Sequence, residues 1–405
     1  MIWSISWRNI WRSKTRSLVI ISAIALGIFA GVFIIAFLYG WVNQRIDNVI
    51  KTEVSHIQIH QREYMRTNDV HRFIPSAQKV RDEILEEKEV QGVSARLISN
   101  AMIASAESKS GIQLIGVTPE EEQKVTDLHT KIVAGKYFEG IKRNPVVIGQ
   151  KLAKKLNVKL RSKIVLTISE LDGTLTKAAF RIAGIYKTSN TANDELKVYA
   201  LAKDMKKVIK AEGEITHEIA ILLNKNNIEN KVVQQLQNKF PQLEVAPWTT
   251  LIPEIKMINE NMNVMTYVFV GIILLALGFG IINTMLMVIL ERIKELGMIM
   301  AIGMNKLKIF LMIVVETVYL AIVGGSIGIV LAVILITITH KTGIDLSVWT
   351  EGLQATGFDT IIYPEIQLME VLKVALLVVI TGIIASIYPA RKAIKLNPSE
   401  ALRVD

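Results

Sequence analysis

The sequence predicts an α-helical membrane protein: four transmembrane helices, with a large α+β extracytoplasmic domain on a helical stalk between the first and second. Three observations carry this. The apolar residues, 51% of 405, are gathered into long uncharged runs. About 220 residues of mixed, alternating pattern separate the first two runs. Beyond the runs, apolar residues continue at helical spacing into that middle block.

Residues 1–16 place Trp3, Trp7 and Trp11 four apart with Arg8 and Arg12 beside them, the make-up of an amphipathic helix at the inner headgroup surface. Ser17–Val42 then runs 26 residues without a charge, against the roughly 20 a helix needs to cross about 30 Å of hydrocarbon. It exceeds the roughly 7–15-residue apolar core of a cleaved signal peptide, and no small-residue cleavage site follows, so it reads as a retained anchor.

Residues 43–260 form the extracytoplasmic domain, one large or two small bodies. Strands are expected at 55–60, 111–117 and 217–223, helices at 79–90 and 227–240, and a strand running into a helix over 145–158. Asp172-Gly173 between alternating runs marks a hairpin within 162–186. His56 and His60, four apart in a strand, would stand about 13 Å apart, too far to share a metal ion, and read as surface histidines.

The second and third spans are 261–290 and 309–339, the latter interrupted only by Glu316. The fourth, 369–390, has a 17-residue uncharged core, Val374–Ala390, and spans if the helix extends into Glu370–Lys373. Between them lie a cytoplasmic segment at 291–308 and a short external loop at 340–368, with a cytoplasmic tail at 391–405. Residues 1–16 carry four basic residues and no acid, whereas Thr339–Leu368 carries four acids and one lysine. The positive-inside bias therefore puts both termini and 291–308 in the cytoplasm. The net charge of +10 is partly this topology, and no nucleic-acid partner is expected. With no cysteine, the external domain must hold together by packing.

Pro253 is suited to open a helix that would run to Leu290 and project some 25 Å beyond the bilayer. Its stalk portion is 254–263, and Ile255, Ile258, Met262 and Met265 keep to one seam that runs through this portion into the span. Tyr39, Val42, Ile46 and Val49 repeat the spacing after the first span. The alternative is ordinary frayed helix ends.

The segment "ERIKELGMIMAIGMNKLKIF", Glu291–Phe310, is too short in its apolar part, Leu296–Met304, to span. Gly297 and Gly303 permit tight bends or close backbone approach, while Arg292, Lys294, Lys306 and Lys308 bracket it with charge. An apolar face held at the membrane surface asks for a partner or for lipid headgroups. Glu316, about two turns inside the third span, needs a polar partner or a route back to the interface. A proton relay would want further acids or histidines at depth, which the spans do not offer. Gly324, Gly325 and Gly328 suit close helix packing. There is no HExxH, GxSxG or GxxxxGK[ST], so no catalytic or metal residue is assigned and any energy must come from another chain.

The segment resembles the coupling segment of ABC-transporter permeases of the lipoprotein-releasing and macrolide-exporter type, which share a C-terminal domain with the cell-division permeases. Glu291, Arg292, Glu295, Leu296, Gly297, Ala301 and Gly303 match the pattern E-R-x-x-E-[IL]-G-x-x-R-A-x-G, and Met300 departs from it. Residues 311–331 and 387–405 are similar to the family's third span and C-terminal end. "IVAGKYFEG" and "VVIGQKLAKKLNV" resemble its external signatures, with Asn157 where glycine is usual. The resemblance implies a multi-pass bacterial inner-membrane permease whose segment, with Met298 included, is pushed by a cytoplasmic ABC ATPase dimer. ATP and Mg2+ would bind in that partner and no cofactor in this chain. It further implies a second permease copy or paralogue, membrane lipid, and a lipoprotein or periplasmic carrier or adaptor protein as partners. Lipoprotein release by mechanotransmission is the expected function. The alternatives are drug or peptide efflux of the macrolide-exporter kind, or signalling to a cell-wall hydrolase of the cell-division kind.

Overall fold

The structure is a computed structural model that describes residues 2–12, 14–226 and 228–395. The C-terminal run expected to carry the family's last motif lies outside these from Leu396 onward. In chain order the helices are α1 (Ile2–Arg12), α2 (Lys14–Asn48), α3 (Tyr64–Thr67), α4 (Ala77–Leu85), α5 (Pro119–Glu122), α6 (Gln150–Lys155), α7 (Thr191–Leu196) and α8 (Ala202–Val208). They continue as α9 (Glu229–Lys239), α10 (Trp248–Leu251), α11 (Pro253–Glu291), α12 (Ile293–Ala301), α13 (Lys306–Thr342), α14 (Thr350–Ala355) and α15 (Leu368–Ile394).

Contacts divide the chain into a helical unit (1–42, 260–345, 361–405) and a β-rich unit (43–259, 346–360). Among the described residues, four helices are long and apolar enough to cross a membrane: Ser17–Val54, Pro253–Glu291, Lys306–Thr342 and Leu368–Ile394. Pro253 opens α11, where its missing N–H and fixed φ cost nothing. Proline recurs inside α15 at Pro389. Beyond α2 the chain changes to a π-helix over Val49–Val54 that stops at Ser55, whose φ is 67°. The expected loop over 340–368 is more than a loop. It holds α14 and, in the helical unit, a two-strand ladder pairing Ile344 with Ile362.

The β-rich unit is built on ten strands: β1 (Ile57–Gln61), β2 (Val90–Ala104), β3 (Lys109–Val117), β4 (Ile132–Gly135), β5 (Pro145–Gly149), β6 (Lys163–Ser169), β7 (Leu175–Tyr186), β8 (Lys197–Leu201), β9 (Glu218–Leu223) and β10 (Leu243–Pro247). Their order is β10-β1-β9-β2-β3-β8-β5-β7-β4, with β6 pairing β2 and β7. The 15-residue β2 joins two lobes. Its first half pairs with β9 over a core that includes Ile57, Ile84, Val93 and Leu236. Its second half pairs with β3 and β6 over a core of Leu114, Ile148, Leu166 and Phe180.

Two expectations are corrected here and one is met. The helix foreseen over 79–90 ends at Leu85, and Val90 already begins β2. The hairpin expected at Asp172-Gly173 is present, β6 pairing antiparallel with β7 across a five-residue turn in which Glu170 N–H donates to the Thr174 carbonyl at 2.8 Å. His56 and His60 are buried, not surface residues. Flanked by β10 and β9 and covered on both faces, β1 has no solvent side. His56 Nδ1 accepts from Leu223 N–H at 3.1 Å while Nε2 faces Asn226 at 2.9 Å, and burial lowers its pKa.

Asn157 stands at φ 49°, the left-handed region where a glycine is free and asparagine is the next best tolerated. Its side chain also donates to Glu107 at 2.6 Å. Where the lobes meet on β2, the buried Arg96 pairs with Glu122 at 2.7 Å and Glu218 at 2.6 Å. Burial opposes the charge on Arg96, yet the two carboxylates outweigh it and raise its pKa. Glu122 meets the same opposition from burial, but Arg96, Ser94 and Thr126 hold its carboxyl below the usual range. Removing the cation would strand two buried carboxylates. Arg96→Met should destabilise the β-rich unit by about 3–5 kcal/mol, read by denaturant unfolding of the detergent-solubilised chain; an unchanged midpoint would count against the cluster as a structural keystone.

Candidate functional site

The turn between α11 and α13 is built around a buried acid. Glu316 lies ten residues into α13 with 8% of its side chain exposed. Arg292 supplies its partner: Nη1 stands 3.4 Å from Glu316 Oε1. To reach it the chain leaves helical geometry at Arg292, φ −102° and ψ 15°, between the end of α11 and the start of α12. The same guanidinium donates through Nε to Glu295 at 3.2 Å. The other oxygen of Glu295 lies 2.9 Å from Arg12 Nη2, at the end of α1. The order Arg12–Glu295–Arg292–Glu316 thus alternates in sign from the exposed surface to the interior.

Gly303 ends α12. At φ 101° it closes a Schellman motif, with Gly303 N–H donating to the Met300 carbonyl at 3.0 Å and Met304 N–H to that of Ile299 at 3.2 Å. Asn305 then caps α13, its side chain accepting from Leu307 N–H at 3.0 Å. Gly297 makes no bend; it lies buried inside α12 beside the buried Leu296. Met298, Ala301 and Ile302 point the other way and are exposed, Ile302 at 81%. Glu291, Lys294, Lys306 and Leu307 are also exposed around them. Met298, Ala301 and Ile302 thus make an exposed apolar ridge rimmed by charged residues.

The amphipathic α1 packs on α13. Ser6 donates to the Met312 carbonyl at 3.1 Å, and the Trp3 and Trp7 rings meet Tyr319 edge-on at 6.0 and 5.3 Å. Gly324, Gly325 and Gly328 face α2. A Cβ on Gly324 would stand 2.8 Å from the Ile21 carbonyl oxygen, one on Gly328 2.5 Å from that of Ala25, and one on Gly325 3.1 Å from Ile28 Cδ1.

Of the seam residues, Tyr39, Val42 and Met262 are buried in the helical unit, the Tyr39 hydroxyl donating to Asn263 at 3.1 Å. Ile46, Val49, Ile255 and Ile258 gather in the β-rich unit with Ile50 and Trp248. Met265 leaves the seam and is 52% exposed, because the continuous α11 turns that position outward. The sequence reading missed Arg12 as a partner; its only signal was a basic residue at the end of a short amphipathic helix. It also missed Glu370, buried in the first turn of α15 and paired with Lys373 at 2.6 Å.

Residues 17–239 match the family described as MacB-like periplasmic core domain, and residues 267–398 the one described as FtsX-like permease C-terminal. An uncharacterized ABC transporter permease of Methanocaldococcus jannaschii is 27% identical over 55% of each chain. The lipoprotein-releasing system transmembrane protein LolC of Buchnera aphidicola is 23% identical over 79% of each. The macrolide export ATP-binding/permease protein MacB of Rhodopirellula baltica is 30% identical over 34% of this chain and 18% of its own.

Arg292→Ala leaves Glu316 buried without a cation, a cost on the order of 3 kcal/mol. The melting temperature of the purified chain should fall, and adding Glu316→Gln should recover most of the loss. Equal stability of the single and double variants would remove the ion pair from the structural account.

Proposed function

The chain belongs to the MacB-like periplasmic core domain family and is an ABC transporter permease of the group that includes the lipoprotein-releasing, macrolide-exporting and FtsX-like proteins; from that premise we propose that it couples an ATPase to lipoprotein release from a bacterial inner membrane. The observation that carries the coupling is the exposed ridge of Met298, Ala301 and Ile302 on a helix whose opposite side is fixed by Leu296 and by the Arg12–Glu295–Arg292–Glu316 pairs. Force applied to such a helix is transmitted, because the pairs and the buried face prevent it from yielding alone.

In this reading both termini and α12 face the cytoplasm, consistent with the basic residues of 1–16 and with Lys294, Lys306 and Lys308. A separate ABC ATPase dimer docks on the ridge and binds ATP and Mg2+. Closure of the dimer tilts α11 and α13, and the helical continuations of α2 and α11 carry the movement to the β-rich unit outside. A second permease, identical or paralogous, packs against α11, where no atom lies within 4 Å of a Cβ built on Gly271 or Gly280 and where Val264, Val268 and Leu275 are exposed. Lipoprotein is favoured as cargo because the LolC relative aligns over four fifths of both chains, whereas the macrolide exporter aligns over about a third of this one.

Purification from the native membrane tests the assignment. An ATPase and lipoproteins recovered with the chain support it; a cell-wall hydrolase in their place would favour the signalling reading, and an outer-membrane efflux channel the exporter. Bulk at the buried Gly297 tests the fold, while bulk at the exposed Ala301 tests docking. Ala301→Trp should leave the chain in the membrane at normal yield and cut ATP-driven release by about tenfold or more, since misplacement of about 1 Å can cost that much. Normal coupled release by this variant would refute the docking ridge.

A further inference from the structure

The segment between α13 and α15 was expected to be a plain loop, but residues 346–360 belong to the β-rich unit. Leu346 N–H donates to the Thr360 carbonyl at 2.7 Å and closes the base of the segment. Inside it, α14 ends in a Schellman motif on Gly357, φ 81°, with Phe358 N–H donating to the Leu353 carbonyl at 2.9 Å. The far side grips the last turn of α2. One oxygen of Asp359, Oδ2, accepts from Gln44 at 2.7 Å and from Asn48 at 2.6 Å. Between these, Gly357 lies on the Arg45 guanidinium, where a Cβ would come within 2.6 Å of Cζ. Arg45 is itself buried and paired with Glu53 at 2.5 Å. A further bond joins the Thr191 hydroxyl to the Gln354 carbonyl at 3.1 Å.

The chain leaving the segment continues along α2 in the helical unit. Glu365 N–H donates to the Ala36 carbonyl at 2.9 Å, and Gly40 is packed so tightly on the Tyr363 backbone that a Cβ there would overlap the carbonyl oxygen. His340, near the end of α13, meets the Pro364 carbonyl at 2.9 Å.

We propose that residues 346–360 are a strap that ties the α13–α15 pair to the last turn of α2, with Asp359 as its positioning residue, and that the strap stays closed while the transporter works. The proposal rests on the mechanical reading given above. The two ends of the strap lead along the chain to α13 and α15, so residues 44–48 are joined to both helices by a route that does not include α11. Because both amides use one carboxylate oxygen, the contact depends on an acceptor at that place rather than on charge.

Two measurements on the full chain decide it. Hydrogen exchange on the detergent-solubilised permease should show Asp359→Ala speeding exchange about tenfold or more across both 44–54 and 346–360, with Asp359→Asn, which keeps the acceptor oxygen, near wild type. In proteoliposomes with its ATPase, Asp359→Ala should retain ATP hydrolysis within about twofold and lose about tenfold in release, again restored by Asp359→Asn. Unchanged exchange over 44–54 in Asp359→Ala, or full coupling with the strap loosened, overturns the strap. If the wild-type chain shows no ATP-driven release at all, the functional reading fails, and the exchange data still decide whether Asp359 holds α2.

Discussion

A carboxylate buried in an apolar helix must be given a cation, and the way this chain meets that demand organises one end of the helical unit. Glu316 sits ten residues into α13, so its partner must come from a chain that has turned back toward it. Arg292 does this by leaving helical geometry directly after α11. The nine residues of α12, about 14 Å at about 1.5 Å each, and the Gly303 turn then return the chain to the start of α13. Arg292 also holds Glu295, which holds Arg12, so a single buried acid fixes the ends of α11 and α1 and the whole of α12. The exposed ridge follows from this: with Leu296 turned inward, Met298 and Ala301 can only face out.

The two units are held by different physics. In the helical unit apolar contact alone discriminates little between a helix and lipid, so α13 and α2 meet where Gly324 and Gly328 let backbones approach to near contact. The β-rich unit is built instead on two large apolar cores. The Arg96 cluster at their junction adds little net energy and a strong penalty for any other arrangement of β2.

Patterns that depend on one helix and its immediate surroundings were legible in the sequence. Pro253 as the start of α11 and the long uncharged runs as long helices follow from local rules. What depends on covering by distant segments was not. His56 and His60 looked like surface residues because an isolated strand has an open face, and only β9, β10 and the helices over them remove it. Asp359 and Gly357 carry no pattern of their own; their meaning comes from Gln44, Arg45 and Asn48, more than three hundred residues away. Within Glu291–Phe310, spacing identified the residue types but not which side of α12 each would take. That side was decided by Glu316, outside the segment.

The chain enters the β-rich unit at the end of α2 and leaves it at the start of α11, and these two crossings are not independent. Val49 and Ile50 on the π-helix share one buried cluster with Trp248 and Ile255, flanked by Ile46, Ile252 and Ile258. A π-turn and the kink at Ile252, φ −129° and ψ 78°, are the places where a helical rod can bend at low cost. Bending one without the other would open that cluster to water, so the two junctions move together or not at all. The strap grips the same turn of α2 through Gln44 and Asn48. The end of α2 is thus held twice within the β-rich unit, by the apolar cluster on Val49 and Ile50 and by the bonds of Asp359 to Gln44 and Asn48.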